Sequence, residues 1–133
     1  MMSRMKKQAG FSLIELMIVI VIVAILASIA IPSYREAVRR SDRRAAQAVM
    51  MDIANRQRQF FVGNRAFATN AELGYALPPE VSEKYTFEEI DLDDGPPPGF
   101  TITFTPKGPQ ASDGDLVLTS AGVRTRAGAE DKW

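Results

Sequence analysis

The most constraining feature of this chain is a run of 21 residues, Phe11 to Ile31, in which only Ser12, Glu15 and Ser28 are polar. As a helix rising about 1.5 Å per residue, the run is roughly 30 Å long, which matches the hydrocarbon thickness of a bilayer. Its one charge is Glu15. An acidic side chain inside a membrane helix costs on the order of 2.5–3.5 kcal/mol on insertion scales, so its presence calls for a function. Other readings of the run are weaker. It is too long for the apolar part of a secretory signal peptide, and no A-x-A-like cleavage site follows it. A chain of 133 residues can hardly enclose a helix that is apolar on every side. A plain signal anchor stays open, and so does a local role for Glu15. Ser12-x-x-Glu15 fits a capping box, in which the carboxylate folds back onto the first free N–H groups of the helix.

Ahead of this run stands a short basic leader with Arg4, Lys6 and Lys7, ending at Gly10. In Gly10-Phe11-Ser12-Leu13-Ile14-Glu15 the sequence resembles the type IV pilin family, whose signature is a basic leader, Gly, and Phe-x-x-x-Glu opening a membrane helix. The resemblance implies cleavage between Gly10 and Phe11 by a prepilin peptidase, and methylation of the new amino terminus at Phe11. It further implies that the span becomes the core-forming helix of a filament, with Glu15 paired to the Phe11 amine of a neighbouring subunit. Such a pair compensates burial only when subunits are correctly staggered, so it would set register more than add stability. The implied partners are the peptidase, other pilin subunits, the inner-membrane assembly machinery and, before assembly, lipid. The implied location is the bacterial inner membrane, crossed once with the amino terminus cytoplasmic, and then an extracellular pilus. Charge alone does not orient the span, because arginines also crowd its far end.

Beyond the span, Pro32 is expected to kink or loosen the helix, since it donates no hydrogen bond toward Ser28. The helical pattern resumes at once. Tyr34, Ala37, Val38, Ser41, Ala45, Ala48, Val49, Ile53 and Phe60 recur at mostly three- and four-residue steps. One helix is therefore expected from 11 to about 62, on the order of 75 Å long, with Gly63-Asn64 at its end. Residues 65–83 read as a connecting loop in which Thr69-x-x-Glu72 caps one short turn. Between Lys84 and Leu92, Tyr85 and Phe87 share one parity while Ile90 and Leu92 share the other, which predicts a bulged or broken strand. Phe100, Ile102 and Phe104 alternate with threonines and form the clearest strand. Residues 116–119 and 123–126 flank a turn and predict a hairpin. The expected architecture is α+β: a leader (1–10), a hydrophobic transmembrane and assembly helix (11–32), an amphipathic helix (33–62), and a head (63–133) whose three or four antiparallel strands cover the stripe of residues 34–60.

The carboxyl-terminal third also resembles the minor pilins of the PilE type, in Phe100–Pro106, Gly108-Pro109-Gln110-Ala111, Asp113, Gly122-x-Arg124 and the last residue, Trp133. Two cysteines that usually close this segment in that group are replaced here by Gly114-Asp115 and Lys132. Either hydrogen bonds and packing of Trp133 are then expected to fasten the tail, or the tail is mobile.

Composition narrows the function. With no histidine and no cysteine, the commonest general base, thiolate chemistry and disulfides are all absent. No catalytic constellation and no cofactor is expected. Asp91, Asp93 and Asp94 before Gly95 lack the twelve-residue loop and closing Glu of a calcium site, so no metal is assigned and the run reads as an acidic turn. Charge is zero overall but uneven: residues 33–58 hold seven arginines against three acids, and 59–133 hold twelve acids against six cations. Arg39, Arg40, Arg43 and Arg44 form a basic run that reads first as a solvated helix face, with a possible contact to the acidic head of a neighbouring subunit. DNA or anionic lipid is the minor reading. The function expected is a structural subunit of a type IV pilus, minor in type, serving twitching motility, adhesion or DNA uptake. The alternative is a pseudopilin of a type II secretion system.

Overall fold

A computed structural model describes residues 9–133 of the chain; the basic leader residues Arg4, Lys6 and Lys7 lie outside the described residues. The chain divides into two units, 1–37 and 38–133. A single helix, α1 (Leu13–Asn64), contributes to both. Pro32 lies inside α1, and the helix continues through it. The helix closes later than expected. Asn64 donates from its amide to the Phe60 carbonyl (3.0 Å), and the Arg65 N–H donates to Phe61 (2.8 Å). The left-handed residue that ends the helix is Arg65 (φ 58°), not Gly63. The side-chain cap of Asn64 and the Arg65 bond satisfy two last-turn carbonyls without a glycine.

In the first unit the large apolar side chains from Leu13 to Ile31 are exposed. Ser28 returns its hydroxyl proton to the Ile25 carbonyl (2.7 Å), leaving no polar atom projecting from the run there.

In the second unit the head is built on β3 (Gly99–Pro106), the longest strand. Its inward residues Phe100, Ile102 and Phe104 are buried, while the alternating threonines are half-exposed. One edge of β3 pairs antiparallel with two short strands in tandem. β1 (Tyr85–Phe87) takes the end near Phe104–Pro106, and β2 (Asp91–Asp93) takes the end near Gly99–Thr101. The parity change between Phe87 and Ile90 is thus a true break, and Asn70 fills it. Its side chain donates to the Glu88 carbonyl (3.1 Å) and accepts from the Ile90 N–H (2.8 Å). The other edge of β3 pairs with β4 (Leu116–Thr119), which pairs with β5 (Arg124–Arg126). Five short strands form the sheet, against the three or four expected.

The connecting stretch is more ordered than a loop. Thr69 and Glu72 form the expected capping box at α2 (Asn70–Leu73), and Gly74 (φ 59°) ends it. The Thr69 N–H, and then its hydroxyl, hold the Glu72 carboxyl below its usual range. A further turn, α3 (Pro79–Ser82), stands where the sequence predicts only loop; Pro79 takes its first position, where no N–H is missed.

The helix face that meets the sheet differs from the expected stripe. Tyr34 and Val38 are exposed, at 71% and 37%. The fully buried residues are Ala46, Met50, Ile53, Ala54 and Gln57, and only Ile53 among them belongs to the stripe. They join Val81, Tyr85, Ile90, Leu116 and Leu118 in one core with the inner face of β3. Two further stripe residues, Ala45 and Val49, are half-buried against the same core. Phe67 extends the core outward, stacking on Phe61 (4.7 Å between ring centroids) and meeting Phe100 edge-on (4.8 Å).

Gln57 is a polar residue wholly inside this core. Its amide donates to the Ala68 carbonyl (2.6 Å) and accepts from the Ala68 N–H (2.8 Å), so both ends are satisfied. Replacing it by leucine strands two backbone groups, each worth about 1–3 kcal/mol when buried and unpaired. Gln57→Leu is expected to destabilise the head by on the order of 2–4 kcal/mol in chemical denaturation followed by Trp133 fluorescence.

Candidate functional site

At the amino-terminal end, Gly10 and Phe11 lie in the irregular segment before α1 and are exposed, Phe11 at 83%. A side chain at Gly10 would meet nothing within 4 Å. The fold therefore makes no demand for glycine there. Glu15 sits in the first turn of α1. Its carboxylate accepts from the Ser12 N–H (2.7 Å), and the Ser12 hydroxyl accepts from the Glu15 N–H (3.2 Å). The capping box that the spacing allowed is formed. Within the single chain the acid is thus held by its own helix terminus, where unpaired N–H groups favour negative charge.

The arginine run resolves into two rows. Arg39 and Arg43, one turn apart, face the 3₁₀ turn Gly108–Asp113. Arg39 donates to the Ser112 hydroxyl (3.0 Å), and its backbone carbonyl accepts from Gln110 (2.9 Å). Arg43 makes a 2.6 Å ion pair with Asp113, both side chains largely buried. These two do not belong to a solvated face, contrary to the first reading of the run. The i, i+4 spacing puts them in the row that meets the head, and the neighbouring row carries Arg40 and Arg44. Arg40 and Arg44 are exposed. They remain the surface cations of the run.

Asp113, which the sequence offers only as one residue of the PilE-type resemblance, is the centre of a buried cluster. One carboxylate oxygen takes Arg43, and the other takes Arg126 (3.2 Å). Gln110 donates to it at 3.3 Å and to the Tyr85 hydroxyl at 3.1 Å, with the Tyr85 hydroxyl 3.5 Å from the same carboxylate. The cluster ties α1, β1, the 3₁₀ turn and β5 together through one acid. A buried carboxylate is expensive to leave without cations, and here two arginines and Gln110 share that task. The signal for it in sequence was weak: Gln and Asp in a Pro-containing turn look like solvated loop residues. The acidic stretch after β2 has a plainer role, since Asp93 accepts from the Gly95 N–H (3.0 Å) and closes its own turn.

An apolar helix with one capped acid near its tip, joined to a small sheet head, has counterparts among known proteins. The prokaryotic N-terminal methylation motif matches residues 5–31, and the family described as "Type IV minor pilin ComP, DNA uptake sequence receptor" matches residues 32–116. The long amino-terminal helix with its apolar half, followed by a small antiparallel sheet, is the fold of the same class. The chain belongs to the type IV pilin family, a structural class and not a class of enzymes. Among curated relatives it is 37% identical over 82 residues to the type IV major pilin protein PilA of Myxococcus xanthus, a match covering 61% of this chain and 36% of that one. It is 36% identical over 66 residues to the type IV wide pilus major component PilA4 of Thermus thermophilus, half of each chain. It is 33% identical over 92 residues to the type IV major pilin protein PilE1 of Neisseria gonorrhoeae, covering 66% of this chain and 54% of that one. The matched region thus spans between about a third and about half of these relatives' lengths. No solved structure matches it.

Tyr85 reports on the Asp113 cluster. Burial, reinforced by the nearby Asp113 carboxylate, pushes its phenol up from 10.0 to about 12, against the opposing pull of Gln110 and Arg43. A raised folded-state value means that stability is fully present below pH 10 and is lost as pH climbs toward 12. The fall in stability across that window, read from urea midpoints, is expected to be steeper in the native chain than in Tyr85→Phe.

Proposed function

We propose that the chain is a minor subunit of a type IV pilus. A prepilin peptidase cuts between Gly10 and Phe11, and the new amino terminus at Phe11 is methylated. The subunit waits in the bacterial inner membrane with its amino terminus in the cytoplasm. The assembly machinery there then moves it into an extracellular filament for twitching motility, adhesion or DNA uptake. The observation that carries this reading is the exposed apolar half of α1 with its single acid. No side chain of the described chain covers that surface, so lipid or other helices must. The match to a minor pilin family over residues 32–116 supports the choice of a minor subunit. A glycine at position 10 that the fold does not require is consistent with selection by a processing enzyme. Pro32 then serves as a place where the helix can bend on assembly.

In this reading Glu15 exchanges its Ser12 partners for the Phe11 amine of a neighbouring subunit. Glu15→Ala is expected to leave the protein in the membrane fraction at native levels. Its amount in sheared extracellular fibres, measured by mass spectrometry, is expected to fall at least tenfold; native levels there would return Glu15 to a purely local cap.

A second reading, binding of DNA, is favoured by the description of the matching family and by the exposed Arg40 and Arg44. If each arginine neutralises one phosphate, removing both reduces the slope of log affinity against log salt by about two. Duplex DNA anisotropy titrations with Arg40→Ala/Arg44→Ala are expected to show that reduction, and an unchanged slope would move the interface elsewhere.

A further inference from the structure

The last residues of the chain are held by a device that neither the family nor the pilus reading supplies. After β5 the chain reverses through Ala127 (φ 50°) and Gly128 (φ 79°), both left-handed, as the two central residues of a tight turn. Ala127 has no glycine-like freedom there, so the turn is strained at that residue. The reversal is pinned by Arg126 in three ways. Its backbone exchanges both hydrogen bonds with Ala129, at 3.0 Å each. Its Nε donates to the Lys132 carbonyl (2.6 Å), and its other guanidinium nitrogen donates to the buried Asp113 (3.2 Å). The turn also rests against Gly114. The Ala127 N–H donates to the Asp115 carbonyl (2.9 Å), and a side chain at Gly114 would come within 2.5 Å of the Ala127 Cβ. Trp133 packs at the margin of the core.

We propose that Arg126 is a latch: a reversible ionic fastening that holds residues 127–133 against β5 and the Gly114 turn, and whose release frees that segment without unfolding the sheet. One guanidinium reaches both ends of the segment's path, Asp113 before β4 and Lys132 near the last residue. The other described contacts of the segment include a strained turn, a few main-chain bonds at the sheet margin and one half-buried indole. The core strands do not depend on it, because β3 is paired on both edges without β5. Asp113 keeps Arg43 and Gln110 when Arg126 leaves, so the acid stays partnered while the tail opens.

The test is hydrogen–deuterium exchange by mass spectrometry on the full chain in detergent micelles. It reads the amides of Ala127, Ala129 and Lys132, which donate to the carbonyls of Asp115, Arg126 and Ala129, against those of β3 and β4. Arg126→Gln is expected to speed exchange across 127–133 at least tenfold while β3 and β4 stay within twofold of the native chain. Arg126→Lys retains a cation for Asp113 but loses the Nε bond to Lys132, and is expected to give a smaller, equally local increase. Should Arg126→Gln fail to fold, Arg126→Lys decides alone. Unchanged exchange over 127–133, or an equal increase in the tail and in the sheet, would overturn the proposal: the first means that Trp133 and the turn hold the segment unaided, the second that Arg126 is an ordinary member of the core.

Discussion

A helix that is apolar around its whole circumference has to find a solvent of its own kind, and that requirement governs the first unit of this chain. From Leu13 to Ile31 every large apolar side chain of α1 is exposed. Fourteen such residues in water would cost far more than a small domain's net stability. Lipid or other helices must take the place of water. Within that surface the only charge is held by Ser12 and by the helix terminus, the one place on an apolar helix where a carboxylate finds donors without a partner chain.

The head meets the opposite demand. Its helix turns from Ala46 to Gln57 carry small and apolar residues that the sheet can cover, and its polar interior is fully partnered. Gln57 secures the stretch after α1, Asn70 the break between β1 and β2, and Asp113 the meeting of helix, turn and hairpin. Each is a polar group that joins two segments separated in sequence. Each is inside the head because its hydrogen bonds replace those it had with water. Among the described residues no buried side-chain polar atom lacks a partner.

The arginine run shows how one sequence motif can divide between structure and surface. Four arginines in six positions read as a single basic patch, yet helical geometry splits them. Arg39 and Arg43 bind the 3₁₀ turn, while Arg40 and Arg44 stay exposed. Of the four, Arg40 and Arg44 are the exposed cations. Asp113 in turn uses one inward arginine and one from β5, so the helix's basic row and the tail hairpin converge on a single acid.

Elements whose signal is local could be read from the residues alone. The apolar run, the capping boxes at Ser12 and Thr69, the alternation of β3, the parity break before β2 and the β4–β5 hairpin all depend on neighbours within a few residues. Periodicity and turn chemistry act over that range. The membership of the family was legible in Gly10 to Glu15 for the same reason. Only the tertiary structure decided which turns of the helix are covered, which arginines are inward, and that Asp113, Gln57 and Arg126 are structural. Those outcomes depend on pairings between segments separated by roughly ten to seventy positions, and a polar residue's spacing along the chain carries no record of the partner that will satisfy it.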